Sequence, residues 1–362
     1  MKAVARLMKM TEVVKIDILN PDMGEISRAA KLIRAGEVIA FPTETVYGLG
    51  ADAFNAAAVD KIFLAKGRPA HDPLIVHIAS VDQLASVTVK IPDFVQRLGN
   101  HFWPGPLTLV VQRNPALPGN VTAELDTVAV RVPQHAVALA LIKASQTAIA
   151  APSANLFSGV SPTSAEHVFQ DLNGRIPLIL DGGSTTIGVE STVLDCTIWP
   201  PKVLRPGGIS VEALRTFLGD VDVFQKNKDV VTFVKSPGML DKHYSPSAHL
   251  YFCLSTLPEH YQPYFEQLIE NKLRAGKKVG AIIVNEDEAW FASHFSSIEI
   301  ISLGSILHLE QVASHLYAAL REMDARGVDY ILAHDFGGEG VGLAIRDRLM
   351  RAAFEVGCCE GG

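Results

Sequence analysis

Residues 66–77 read KGRPAHDPLIVH, and the order of residue types in this stretch decides the fold class. Ahead of it, residues 56–65 carry a helical pattern opened by Asn55, a residue type whose side-chain oxygen caps helix N-termini. Lys66 and Arg68 then sit where cations complement the C-terminal end of a helix dipole. Pro69 and Pro73 stop that helix, because proline lacks the donor that a continuing turn needs. Residues 74–78, LIVHI, form an apolar, β-branched run of strand character, with His77 inside it. A helix, a stiff corner and a buried strand make one unit of an α/β fold.

The same alternation extends on both sides. Residues 38–41, 107–112, 128–132, 148–151, 178–180 and 192–195 read as strands, and 25–35, 81–87, 93–102, 136–144 and 165–172 as helices. This predicts an α/β domain whose helices cover a sheet. Its many proline and glycine corners predict something less regular than repeated βαβ units. A short helix over 211–217 follows Ser210 and stops at Gly219. Residues 220–246 lose the pattern and end in two proline turns, and a connection that long is usually functional or disordered. Periodicity then returns: strands at 249–254, 279–284 and 330–333, helices at 261–275 and 309–325, and a closing segment at 345–354. This is a second, smaller α/β domain.

Composition sets the class. The 362 residues suffice for two domains, and 48% hydrophobic with 20% charged residues is that of an ordinary globular protein. A net charge of -7 argues against a general binder of phosphate backbones. The four cysteines show no metal-ligand spacing, so all four are expected as reduced thiols. There is neither an apolar run long enough for a membrane span nor the apolar core of a secretory signal, so a cytoplasmic enzyme is expected.

Polar residues gather at strand ends. FPTETVYGLG (41–50) runs from a strand into a turn of hydroxyls that includes Thr45. Strand alternation along LDTVAVRVP puts Thr127 and Arg131 on one face, and buried Arg131 needs an anion: a structural carboxylate such as Glu124 or Asp126, or a substrate. APSANLFSGVSPT offers Ser153, Asn155 and Ser161 on a small-residue loop after Ala151. GVESTV carries Ser191, LRPGG carries Arg205, and KHYSP carries Lys242, His243 and Tyr244 at the end of the 220–246 segment. There is no Walker A loop and no G-x-G-x-x-G. No protein nucleophile stands out. The set suits anion binding and transfer between substrates rather than covalent catalysis. A binding module for nucleotides or RNA is the rival reading, weakened for RNA by the acidic balance.

Eight segments in order, PTETVYGLG, KGRP…DPLIVHI, WPGPLT, LDTVAVRVP, APSAN, GVESTV, LRPG and KHYSP, resemble the threonylcarbamoyl-AMP synthase family in its long form. The resemblance implies a YrdC-like catalytic domain (16–219) with a twisted mixed sheet and flanking helices. It further implies a linker acting as an active-site lid (220–246) and a Rossmann-like C-terminal domain (247–355). The implied reaction joins L-threonine, bicarbonate or CO2, and ATP into L-threonylcarbamoyladenylate, releasing pyrophosphate, for modification of adenosine 37 in ANN-decoding tRNAs. The implied catalytic residues are Lys66 and Arg68. Thr45, His77, Arg131, Ala151 and Ser191 would line the threonine pocket. Lys66, Arg68, Asp72, Thr127, Ser153, Asn155, Ser161, Arg205 and Tyr244 would meet ATP. Residue 72 departs from the Asn or Lys frequent in the family, and a carboxylate there cannot donate a hydrogen bond to a nucleotide. Mg²⁺ would accompany ATP, with no protein-bound metal cluster. The product would pass to a tRNA threonylcarbamoyltransferase complex, without membrane association or tight direct tRNA binding.

Overall fold

The computed structural model describes residues 10–69, 72–224 and 244–357. In chain order its first part comprises β1 (Glu12–Lys15), α1 (Met23–Arg34), β2 (Ile39–Phe41), β3 (Gly48–Asp52), α2 (Ala56–Lys66), β4 (Ile75–His77), α3 (Leu84–Val87), α4 (Asp93–Phe102), β5 (Leu107–Gln112), β6 (Thr127–Arg131), α5 (Ala136–Ser145), β7 (Ile149–Ala150), α6 (Ala165–Leu172), β8 (Leu178–Asp181), β9 (Thr192–Asp195), β10 (Lys202–Arg205), α7 (Val211–Leu218) and β11 (Asp222–Val223). Among the described residues these strands form one mixed sheet in the order β1-β8-β2-β3-β7-β4-β6-β5-β9-β10-β11. The α/β class read from the sequence is the fold observed.

Local chemistry sets the ends of the elements around residues 66–77. The Asn55 side chain accepts from the Ala58 amide at 3.2 Å, capping α2 as expected. At its other end Gly67 turns left-handed, with φ 64°, a conformation glycine adopts without a Cβ penalty. Strand β4 then pairs parallel with β6 and antiparallel with β7, which sets His77 opposite Arg131 on one side and Ile149 on the other. Strand β3 went unread in the sequence. GLGAD has low strand propensity, but it is fixed between β2 and β7 by ladder hydrogen bonds and full burial of its first four residues.

The second part comprises β12 (His249–Cys253), α8 (Pro258–Arg274), β13 (Val279–Ile283), α9 (Glu288–His294), β14 (Glu299–Ser302), α10 (Leu309–Ala325), β15 (Tyr330–His334), α11 (Gly342–Ala352) and β16 (Glu355–Gly357). Its strands form an all-parallel sheet in the order β14-β13-β15-β12-β16. Most of the 220–246 linker falls on residues 225–243, outside the described residues. Cys196 is a free, buried thiol, but Cys253 is disulfide-bonded, which corrects the expectation of four reduced thiols. The pairing of β12 with β16 sets Cys253 opposite Gly357.

The two sheets share a core. Val46, Val160 and Val189 of the first part pack in one cluster with Val312, Ala313, Leu316 and Tyr317 of α10. Arg321 grips Asp171 with two hydrogen bonds, at 2.7 and 3.2 Å, and also bonds the Val160 carbonyl. Gly188 lies against the backbone of α10, where a Cβ would come within 2.4 Å of the Ser314 Cα, and its φ is 77°. Gly188→Ala should therefore destabilise the chain by about 1–3 kcal/mol through overpacking, with backbone strain added. Urea denaturation checks this, and unchanged stability would contradict the close approach.

Candidate active site

A cleft open to solvent at its mouth is lined by residues from strand ends and corners of the first sheet together with Tyr244. Of the residues expected at the site, it brings together Thr45, Arg68, His77, Arg131, Ala151, Ser153, Ser191, Arg205 and Tyr244. Thr43, Val46, Gly48, Ile75, Pro152 and Glu190 also line it and had not been singled out. Most lie within one or two residues of an expected one, so the quoted motifs held the signal but not the direction of each side chain.

The β2–β3 corner supplies the threonines. Thr43 Oγ1 donates to the Val46 carbonyl (2.7 Å) and accepts from the amides of Thr45 (3.2 Å) and Val46 (3.3 Å). Its proton is therefore committed, so in the 2.9 Å contact between the two hydroxyls Thr45 is the donor. Arg131, at the end of β6, donates from Nη1 to Thr45 Oγ1 at 2.9 Å and lies 2.6 Å from the Glu44 carboxylate through Nη2. Glu44 thus takes the place of Glu124 or Asp126, the partners the sequence suggested. The reason is tertiary: β3 and β7 bring the β2–β3 corner beside β6, 86 residues away.

His77 is 4% exposed and meets the edge of the Phe41 ring. Burial, and then the neighbouring Arg131 charge, push its pKa down to about 3. His77 is neutral at ordinary pH. Its Nδ1 and the Arg131 Nε are buried with no hydrogen-bond partner among the described residues. Two adjacent wall residues therefore present polar atoms that a bound ligand could satisfy.

Arg68 pairs with Asp72 at 2.9 Å and donates to the Pro73 carbonyl, also at 2.9 Å. Asp72 is fully buried behind it and does not line the cleft. Lys66 also stays behind the wall. Its ammonium donates to the backbone carbonyls of Ser153 and Asn155, the latter at 2.7 Å, and lies 3.4 Å from Asn155 Oδ1. Burial, then the Arg68 charge, hold its pKa well below the usual lysine value. Asn155 is equally committed, bonding Ser153, Leu156 and Gly159. Ser161 donates to Glu190 at 2.7 Å. Thr127 opens β6, four residues and roughly 13 Å along the strand from Arg131. Lys242 and His243 lie outside the described residues.

Also in the lining, Arg205 donates from Nη2 to the Ser191 carbonyl (2.9 Å) and hydroxyl (3.2 Å), and that hydroxyl meets Thr108 at 2.8 Å. Three arginines, one carboxylate, four hydroxyl side chains and a phenol therefore face one space without a lysine or cysteine among them. Such a set neutralises and orients anions; it offers no evident covalent nucleophile.

A family model described as "Telomere recombination" matches residues 31–207, and one described as "Threonylcarbamoyl-AMP synthase, C-terminal domain" matches residues 209–354. The threonylcarbamoyl-AMP synthase of Bacillus subtilis (strain 168) is 48% identical over 338 residues, covering 93% of this chain and 95% of that protein. The one from Pyrococcus abyssi is 46% identical, covering 91% and 94%. The crystal structure of P. abyssi Sua5 complexed with L-threonine superposes with a TM-score of 0.87 at 43% identity, covering 96% of this chain and all of that one. With both domains matched and the resemblance running nearly end to end, the chain belongs to the threonylcarbamoyl-AMP synthase family of enzymes.

Proposed function

We propose that this cleft joins L-threonine, bicarbonate or CO2, and ATP into L-threonylcarbamoyladenylate and pyrophosphate. The observation that carries the reading is the wall of His77 and Arg131 in an arginine-lined cleft, neutral imidazole beside guanidinium, where among the described residues the buried His77 Nδ1 and Arg131 Nε have no hydrogen-bond partner. The L-threonine bound to the similar P. abyssi protein supports the same assignment. Threonine's carboxylate and hydroxyl supply partners for Arg131, His77 and Thr45, while Ala151 and Ser191 close the pocket. The triphosphate lies toward Arg68, Ser153 and Arg205, with Tyr244 beside it. Thr127 extends the same face of β6 toward the nucleoside end of ATP. Lys66 and Asn155 act through the 153–155 loop that they hold, Ser161 through Glu190, and Asp72 through Arg68.

The amine of threonine adds to CO2, losing a proton and forming the N–C bond of a carbamate. A carbamate oxygen then attacks the α-phosphorus of ATP. The new P–O bond forms as the bond to the β-phosphate oxygen breaks, and pyrophosphate leaves. Arginines fixed before the reaction stabilise the charge gathering on the phosphates, with no reorganisation needed at the moment of transfer. Magnesium would accompany ATP as its counterion and would supply charge neutralisation at the phosphates. Among the described residues no three His, Cys, Asp or Glu side chains converge on a metal position. The adenylate is a reactive mixed anhydride, so we assign its use to a tRNA threonylcarbamoyltransferase complex modifying adenosine 37 of ANN-decoding tRNAs in the cytoplasm. Among the described residues no helix is long and apolar enough to cross a membrane.

Pyrophosphate release from ATP should require both L-threonine and bicarbonate. Release without either would refute the synthase, and ATP binding without any release would leave a nucleotide-binding module. Arg68→Ala should lower kcat by about a hundredfold, the scale of one lost charge-stabilising group. It also breaks the buried Arg68–Asp72 ion pair, costing about 3–5 kcal/mol of stability. Asp72→Asn in the same chain should return much of that stability and none of the turnover, as urea denaturation and steady-state kinetics would read. His77 should remain neutral by nitrogen NMR from pH 8 down to pH 5. Because its folded pKa is depressed, from 6.5 to about 3, the stability it contributes is full above about pH 6.5 and declines as the pH falls toward 3. A midpoint near 6.5 in the folded protein would contradict this.

A further inference from the structure

Glu190 is a carboxylate in the wall of a cleft that the preceding reading fills with a triphosphate. Left exposed to that ligand it would repel it. Its two oxygens are instead committed. Oε1 accepts from Ser161 at 2.7 Å, and Oε2 accepts from the Tyr317 hydroxyl at 2.9 Å and from Arg348 Nε at 2.7 Å. Tyr317 lies on α10 and Arg348 on α11, so both come from the C-terminal domain.

Arg348 reaches further. It is 1% exposed, among the largest fully buried side chains of the protein. Its Nη2 donates to the Pro206 carbonyl at 3.0 Å, the residue after Arg205. Its guanidinium lies 5.1 Å from the centre of the Tyr244 ring, which stacks on Tyr317 at 5.7 Å. Two wall groups, Glu190 and Tyr244, thus rest on two side chains of the other domain, and Arg348 also holds the backbone just after Arg205. Burial raises the Glu190 pKa, but Arg348 foremost and then Arg205 outweigh it and hold the carboxyl at about 2. Without Arg348 the buried Glu190 carboxylate would line the cleft with its main counter-charge gone.

We infer that Arg348, supported by Tyr317, is a positioning residue of the active site: it neutralises Glu190 across the domain boundary and so keeps an uncompensated carboxylate from facing the phosphates of ATP. On this view the C-terminal domain completes the nucleotide half of the site, while His77 and Arg131 on β4 and β6 hold threonine without it. The inference rests on the ATP assignment above.

The test measures ATP and L-threonine binding separately, by calorimetry on the full chain. Wild-type protein that binds no ATP would overturn the ATP assignment itself, whatever the variants do. Given wild-type binding, Arg348→Met should weaken ATP at least tenfold and change threonine affinity less than twofold. Glu190→Gln added to Arg348→Met should recover most of the ATP affinity, because it removes the uncompensated charge; lost packing alone would not be recovered this way. Tyr317→Phe, which removes a single hydroxyl and keeps the fold, should weaken ATP two- to fivefold with threonine unchanged. It carries the test if Arg348→Met does not fold. Unchanged ATP affinity in the folded variants, equal losses for both ligands, or no recovery in the double variant would each overturn the inference.

Discussion

The site depends on one constraint: a guanidinium taken out of water must be paired. Arg131 meets Glu44, Arg68 meets Asp72, and Arg348 meets Glu190, each at hydrogen-bonding distance and each nearly or wholly buried. A buried pair is weak evidence for added stability, since desolvation offsets most of the attraction, while losing one partner is expensive. What the pairs provide is position. Asp72 and Glu44 sit behind or beside Arg68 and Arg131 and fix the forks that face the cleft, while Arg348 stands behind the wall and holds Glu190, so the charged groups keep their places before a ligand arrives.

The same constraint explains why several family-motif residues stand behind the wall. Lys66 spends its donors on the 153–155 backbone, and Asn155 ties that loop to itself. Their contribution is a rigid loop offering Ser153 to the cleft. A site that stabilises charge by prearranged dipoles needs such a supporting layer, because a misplaced donor loses most of its effect. The two domains extend this logic across their boundary, where Glu190, Tyr317, Arg348 and Tyr244 form one buried polar and aromatic group.

Much of the architecture was legible in the residues. Asn55 and Ser210 cap α2 and α7 as their positions indicated, the apolar runs became strands, and the eight motif segments located nearly every wall of the cleft. The unread pieces share a cause. β3 is glycine-rich, and β1, β10, β14 and β16 are short strands whose identity comes from the neighbour they pair with. Strand propensity is largely a measure of such context.

By itself, the sequence determined the α/β class, the division into a larger and a smaller unit, and the chemistry of the site as hydroxyls and arginines without a nucleophile. These follow from periodicity and residue type, which are local properties. Only the tertiary structure decided which carboxylate serves which arginine: Glu44 over Glu124 or Asp126 for Arg131, Asp72 turned back to Arg68, and Glu190 held by Arg348 from 158 residues away. Pairings of buried charge are set by where strands lie in the sheet and how the domains dock, and that geometry is a sum of long-range contacts that no window of residues contains.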